Sequence, residues 1–153
     1  MKIWVDADAC PRMIKEFLFK AAGRLKIPTV LVANSNMFIP RSNLVSLVVV
    51  GDGMDEADHY IVEHCDPTDL VVTADIPLAS DLVDKGVVAL NPRGTVYTTD
   101  NVKEALATRN LMQDLREAGE IQGGPPPLGP SDREKFANAF DREITRLARA
   151  QTN

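Results

Sequence analysis

Apolar residues follow two rhythms along this chain, short unbroken runs and longer stripes at helical spacing, and the two alternate. The first run, Lys2 to Val5, has the β-branched and aromatic residues that suit a strand. It ends in Asp6 and Asp8 and passes into Pro11, whose fixed φ suits the first turn of a helix. From Pro11 to Lys26, Ile14, Phe17, Leu18, Ala21 and Leu25 recur at helical spacing, with Arg12, Lys15, Glu16, Lys20 and Arg24 opposite them. This predicts an amphipathic helix lying on a sheet. Pro28 breaks it, and Thr29 to Ala33 read as a second strand closed by the polar turn Asn34, Ser35, Asn36. After a loop containing Pro40, Leu44 to Val50 is a near-continuous apolar run that ends at Gly51, as expected of a strand covered on both faces.

The turn GDGMDEAD, residues 51 to 58, leads into a helix through about Cys65, with Met54, Ala57, Ile61 and Val62 as packing positions. Asp69 to Thr73 form a fourth strand, stopped at Ala74 and Asp75. Pro77 then sits in the first turn of a helix that runs to about Lys85 and is closed by Gly86. Val87 to Leu90 make a fifth strand, followed by the turn Asn91, Pro92, Arg93, Gly94. Alternation of this kind implies parallel strands joined by right-handed crossovers. The fold class expected is a three-layer, doubly wound α/β domain with a mainly parallel five-stranded sheet in the order 3-2-1-4-5.

Val102, Leu106, Leu111 and Leu115 mark a longer helix from about Asp100 to Ala118, expected to cover one face of the sheet. Residues 120–130, EIQGGPPPLGP, are too rich in Gly and Pro for helix or strand and read as an extended connector. Ser131 and Glu134 have capping-box spacing before Phe136, Phe140, Ile144 and Leu147. They predict a C-terminal helix over 131–150 that packs on the body.

Composition narrows the class without changing this picture. The 153 residues fit a single domain over 1–153, and 44% hydrophobic with 25% charged residues is ordinary for a globular protein. No apolar run reaches membrane-spanning length, and no basic segment followed by an apolar stretch opens the chain. A cytoplasmic protein with no membrane partner is expected, with Cys10 and Cys65 kept as thiols. A net charge of −5 argues against a broadly basic nucleic-acid surface. The pattern specifies no oligomeric state.

The candidate chemistry lies at strand ends. With strands one and four adjacent, Asp6 and Asp8 meet Asp75 where ligands bind in open α/β sheets, supplemented by Asp58 and Asp81 on the following helices. Carboxylates held close together repel one another unless a cation intervenes, and Mg²⁺ or Mn²⁺ takes such oxygen ligands and activates water for attack on phosphorus. The bland alternative is that Asp6 and Asp8 only cap the following helix. Asn91 and Arg93, on the same rim, offer amide and guanidinium donors to a phosphate, although a plain turn explains them equally.

A haloacid-dehalogenase-like phosphatase is the rival. It would use Asp6 as the nucleophile that carries an aspartyl-phosphate. Such an enzyme needs a lysine near its last motif, yet none lies between Lys26 and Lys85, and Asp75 is left unexplained. Cys10 at a helix start lacks the Arg of a Cys-x5-Arg loop, since Glu16 stands there, so a structural thiol is expected. His59, His64 and Cys65 lack the paired spacing of a zinc site.

The segments WVDADACP (4 to 11), DEADHYIV (55 to 62), DLVVTADIPLA (69 to 79), KGVVALNPRG (85 to 94) and GGP (123 to 125) together resemble the bacterial YaiI/YqxD family, in order and over nearly the whole chain. The resemblance implies a fold similar to PIN-like nuclease domains. In those domains an Asp after strand one, an acid on a middle helix and one or two Asp after strand four hold Mg²⁺ or Mn²⁺. By position these are Asp6, Asp58, Asp75 and Asp81, with Asp8 as an extra acid beside the first. The expectation is therefore a metal-dependent phosphodiester hydrolase acting on RNA or another phosphate-containing substrate, with Asp6, Asp8 and Asp75 catalytic and Asn91 and Arg93 at the phosphate. A non-catalytic binding domain on the same pocket is the other alternative. Two departures stand out: the middle acid is Asp rather than the more usual Glu, and no basic RNA-binding tract is evident.

Overall fold

The computed structural model describes residues 1–53, 55–124 and 126–152. Met54, expected at a packing position, and Pro125, in the GGP segment, lie outside the described residues. Five strands, β1 (Ile3–Asp6), β2 (Thr29–Ala33), β3 (Val45–Val49), β4 (Leu70–Val72) and β5 (Val88–Leu90), form one sheet in the order β3-β2-β1-β4-β5. Every strand pair is parallel, with Ile3 beside Thr29 on one side and Leu70 on the other. All five carboxyl ends therefore share one edge.

Successive strand residues point to opposite faces, and each face has its own core. Ile3, Val5, Leu31, Leu70, Val72 and Leu90 pack with Ile14, Leu18 and Ala21 of α1 (Arg12–Leu25) and with Phe136 and Phe140 of α5 (Pro130–Thr152). Trp4, Val32, Val71 and Ala89 face the other way, against Ala57 and Ile61 of α2 (Glu56–His64), Leu78 and Leu82 of α3 (Ile76–Lys85), and Val102 of α4 (Thr99–Glu117). These are the three layers expected from the alternation. The unbroken apolar runs arise because both faces of the central strands are covered.

The C-terminal helix packs on the body as its stripe predicts. Phe136 and Phe140 are fully buried, and the Phe17 ring stands edge-on to both at 5.5 Å. Burial of one such ring contributes about 2 kcal/mol. Its cap differs from the Ser131 expectation. The helix begins at Pro130, and the Asp132 carboxylate reaches back to accept the Gly129 N–H at 3.1 Å. The backbone approaches α5 closely here, since a Cβ on Gly94 would come within 2.7 Å of the Lys135 backbone. The turn after β5 thus lies directly against α5.

α4 departs from expectation more strongly. A capping box between Thr98 and Asn101 starts it, and Val102 is its one buried residue. Leu111 remains 58% exposed, so only the first turns pack on the body, mainly against α3, and the rest projects. No described helix is long and apolar enough to cross a membrane.

Candidate functional site

β1 ends in Asp6, which is 6% exposed. Thr73, the residue after β4 and fully buried, donates its hydroxyl proton to Asp6 Oδ2 at 2.9 Å and accepts the Asp75 N–H at 2.9 Å. One hydroxyl thus ties the ends of the two central strands together. The Asp75 side chain caps α3, with Oδ1 accepting the Leu78 N–H at 2.8 Å. Asp58, in the first turn of α2, faces Asp75, and a proton on it would let the two carboxyls share a hydrogen bond.

Asp8 has a different task from the cap considered for it. No side chain caps α1, and Asp8 Oδ2 instead accepts the Asn34 N–H at 2.7 Å, joining the ends of β1 and β2. Asp6 makes no capping bond either. Asp55 enters α2 in the left-handed region at φ 65°, a conformation that Asp tolerates better than most residues.

These groups line an open cleft of about 250 Å³ at the carboxyl edge of the sheet, with six acids, Asp6, Asp8, Asp55, Glu56, Asp58 and Asp75, and Asn34. No cation is among the described residues that line it. The electrostatic consequence is direct. Burial, reinforced by the charges of Asp75, Asp6 and Asp55 and by the hydrogen bond to Asp75, pushes the Asp58 carboxyl up to about 7. Asp6 is also raised, chiefly by burial, with Thr73 opposing the rise and the charges of Asp75 and Asp8 adding to it. A proton on Asp58 thus relieves repulsion that a bound cation would relieve equally well.

The donor set fits a hard divalent ion in kind, being all carboxylate oxygen. Among the described residues, however, no three His, Cys, Asp or Glu side chains are already grouped to hold an ion. The rim supplies donors and excess negative charge, and a bound ion would have to draw the carboxylates together.

Other expected site residues lie elsewhere. Asp81 is exposed on α3 and is not among the residues lining the cleft. Arg93 turns to α5 and the connector, where its guanidinium pairs with Asp132 at 3.1 Å and donates to the Pro126 carbonyl. Asn91 shapes its own turn, accepting the Arg93 N–H at 2.6 Å and donating to the Tyr97 hydroxyl at 3.1 Å. Cys10 is buried, and burial pushes its thiol up to about 12, which suits a structural role. His64 stacks on Tyr60 at 3.9 Å rather than joining a metal cluster.

Thr73, Asn34 and Asp55 did not stand out in the sequence. A hydroxyl two residues before Asp75 was the available signal for the first, since Thr and Ser readily bond the backbone two residues on.

A family model described as "Uncharacterized BCR, YaiI/YqxD family" matches residues 4–146. A UPF0178 protein of Geobacter metallireducens is 56% identical over 149 residues, covering 97% of this chain and 96% of the relative. A UPF0178 protein of Trichlorobacter lovleyi is 53% identical over 149 residues, 97% of each chain. One from Shewanella baltica is 52% identical over 146 residues, 95% of this chain and 97% of its own. No solved structure matches.

Proposed function

This chain belongs to the YaiI/YqxD family, and on that premise we propose that its acidic rim holds Mg²⁺ or Mn²⁺ and hydrolyses a phosphodiester, in RNA. The observation that carries the reading is the meeting of Asp6, Asp58 and Asp75 in one cleft at the ends of β1 and β4, with the Asp58 carboxyl raised by burial and by its neighbours' charge. The PIN-like resemblance implies a metal at these three acids and at Asp81, of which the first three line the cleft and Asp81 does not. When bound, the ion would supply Lewis acidity at phosphorus and a more acidic water.

The chain's own groups have separable roles. Thr73 fixes Asp6 through its hydroxyl, and the second oxygen of that carboxylate, with no hydrogen bond from the described residues, would serve a ligand. Asp75 presents one oxygen to the Leu78 N–H, which sets the rotamer of its carboxylate. Asp58, whose carboxyl is raised to about 7 by burial and its neighbours' charges, would give up that proton to serve as a ligand when an ion binds. Asp8, oriented by Asn34, borders the cleft as a helper.

Calorimetry with Mn²⁺ on the wild type and Asp75→Asn tests the proposal. Asn caps helices as well as Asp does, so α3 should survive the substitution while a charged ligand is lost. Binding by the wild type and a much weaker signal from the variant are expected. Unchanged heats, or no binding at millimolar metal, would overturn the metal claim.

A second reading, binding without turnover, is favoured by one observation: the carboxylates are not grouped in advance around an ion position. Mn²⁺ binding with no cleavage of a labelled RNA would select it. The phosphomonoesterase alternative lacks a cation beside Asp6 in the cleft, and failure to trap an aspartyl-phosphate would remove it.

A further inference from the structure

The carboxyl edge of the sheet carries a second cleft whose character is opposite to the first. It lies between α1 and the loop after β2 and has a volume of about 360 Å³, within the range of about 300–1,000 Å³ typical of ligand pockets. Phe19, Met37 and Phe38 supply apolar surface, and Arg12 and Lys15 stand at its border with Glu16. Phe38 is 86% exposed, the most exposed large apolar side chain among the described residues. A ring left so open in water gains surface burial from any flat partner laid on it.

The two clefts are neighbours. Asp8 and Ala9 line the acidic cleft just before α1 begins, and Arg12 follows at once. Asn34 lines it just after β2, and Met37 and Phe38 follow in the same loop. The bond from the Asn34 N–H to Asp8 joins the two segments at the border.

We infer that the cleft of Phe38, Arg12 and Lys15 receives an unpaired base and its adjoining phosphate from a single-stranded nucleic acid that crosses the acidic rim. This rests on the metal-hydrolase reading only for what happens at the rim; the strand contact itself is independent of it. Aromatic faces beside cations are the means by which single strands are held without reading their sequence, each base stacking on a ring while the backbone meets positive charge. In a duplex the base faces are already stacked and unavailable. The chain's net charge of −5 and the six acids of the neighbouring cleft repel a polyanion, and the attraction at this cleft comes from Arg12 and Lys15 on its border. The Arg12–Glu16 pair does not cancel this. It spans 3.0 Å at a solvated surface, with Arg12 89% exposed, where such pairs contribute little and exchange readily.

The test is fluorescence anisotropy of the full chain with a short labelled oligothymidylate, at low salt and with EDTA present. Binding by the wild type is expected, with affinity falling about tenfold in Phe38→Ala, kept in Phe38→Trp and reduced in Lys15→Glu. The duplex of the same length should bind more weakly. No binding of the single strand, equal binding by Phe38→Ala, or preference for duplex would overturn the inference. Its failure is distinguishable from failure of the rim reading. If the wild type gives no Mn²⁺ heats but still binds the strand through Phe38, the metal claim falls and this one stands. If Mn²⁺ binds and RNA is cleaved equally by wild type and Phe38→Ala, the reverse holds.

Discussion

Two buried carboxylates on adjacent strands end up in opposite circumstances. Asp69, at the start of β4 and 4% exposed, accepts the Lys2 N–H at 2.8 Å on one oxygen, and the Trp4 indole N–H at 3.0 Å and the Asp66 N–H at 3.1 Å on the other. Asp6, at the far end of β1 and 6% exposed, receives one hydroxyl and faces further acids. The amino edge of the sheet thus closes on its acid with donors, while the carboxyl edge leaves acceptors over. A carboxylate saturated by N–H groups serves the fold, and one left with spare oxygens among like charges is available to a ligand.

The sharpest way to break this comparison is to remove the saturated acid. Asp69→Ala should destabilise the protein by about 3 kcal/mol, because it strands three donors, among them the buried indole N–H of Trp4. Urea unfolding measures this, and a loss below about 1 kcal/mol would show that water satisfies those donors instead.

The rim should behave in the opposite sense. Asp58 has its carboxyl raised to about 7 in the fold, against about 3.9 for an unperturbed Asp. Between those values the folded state holds a proton that the unfolded state has released. Stability from this group is therefore present in acid and declines as pH rises toward 7. With EDTA present, Asp58→Asn should be more stable than the wild type at pH 8, by about 1 kcal/mol once solvent screening of this half-buried group is allowed for. The difference should shrink as pH falls toward 4. A wild type that is the more stable of the two at pH 8 would show that Asp58 is satisfied, as Asp69 is.

The smallest effect is expected at Asp81. It is exposed on α3 and outside the cleft lining, so Asp81→Ala should change stability by no more than about 0.5 kcal/mol and leave Mn²⁺ heats as they are. A marked loss of metal binding would extend the rim to the solvent face of α3.

Much of the architecture is legible in the chain. The runs around Trp4, Leu31, Leu47, Val71 and Ala89 are strands, their alternation with helices implies the parallel sheet, and the expected doubly wound order 3-2-1-4-5 is the one formed. α4 is where the pattern misleads. Its stripe from Val102 to Leu115 has the right spacing, yet only the first turns pack on the body, mainly against α3, because an amphipathic pattern records what could be buried and not what lies opposite. The caps are also redistributed. Asp8, a natural cap by position, bonds Asn34, whereas Asp75 both caps α3 and faces Asp58.

The sequence by itself determined the elements, their parallel arrangement and the edge at which acids collect, since each depends on local propensity and the period of apolar residues. Tertiary structure decided which acids meet. It sent Arg93 to Asp132, linked Thr73 to Asp6 across 67 residues, and left Phe38 open beside the rim. Those outcomes depend on through-space partners contributed by distant segments, and a side chain's period along the chain carries no information about them.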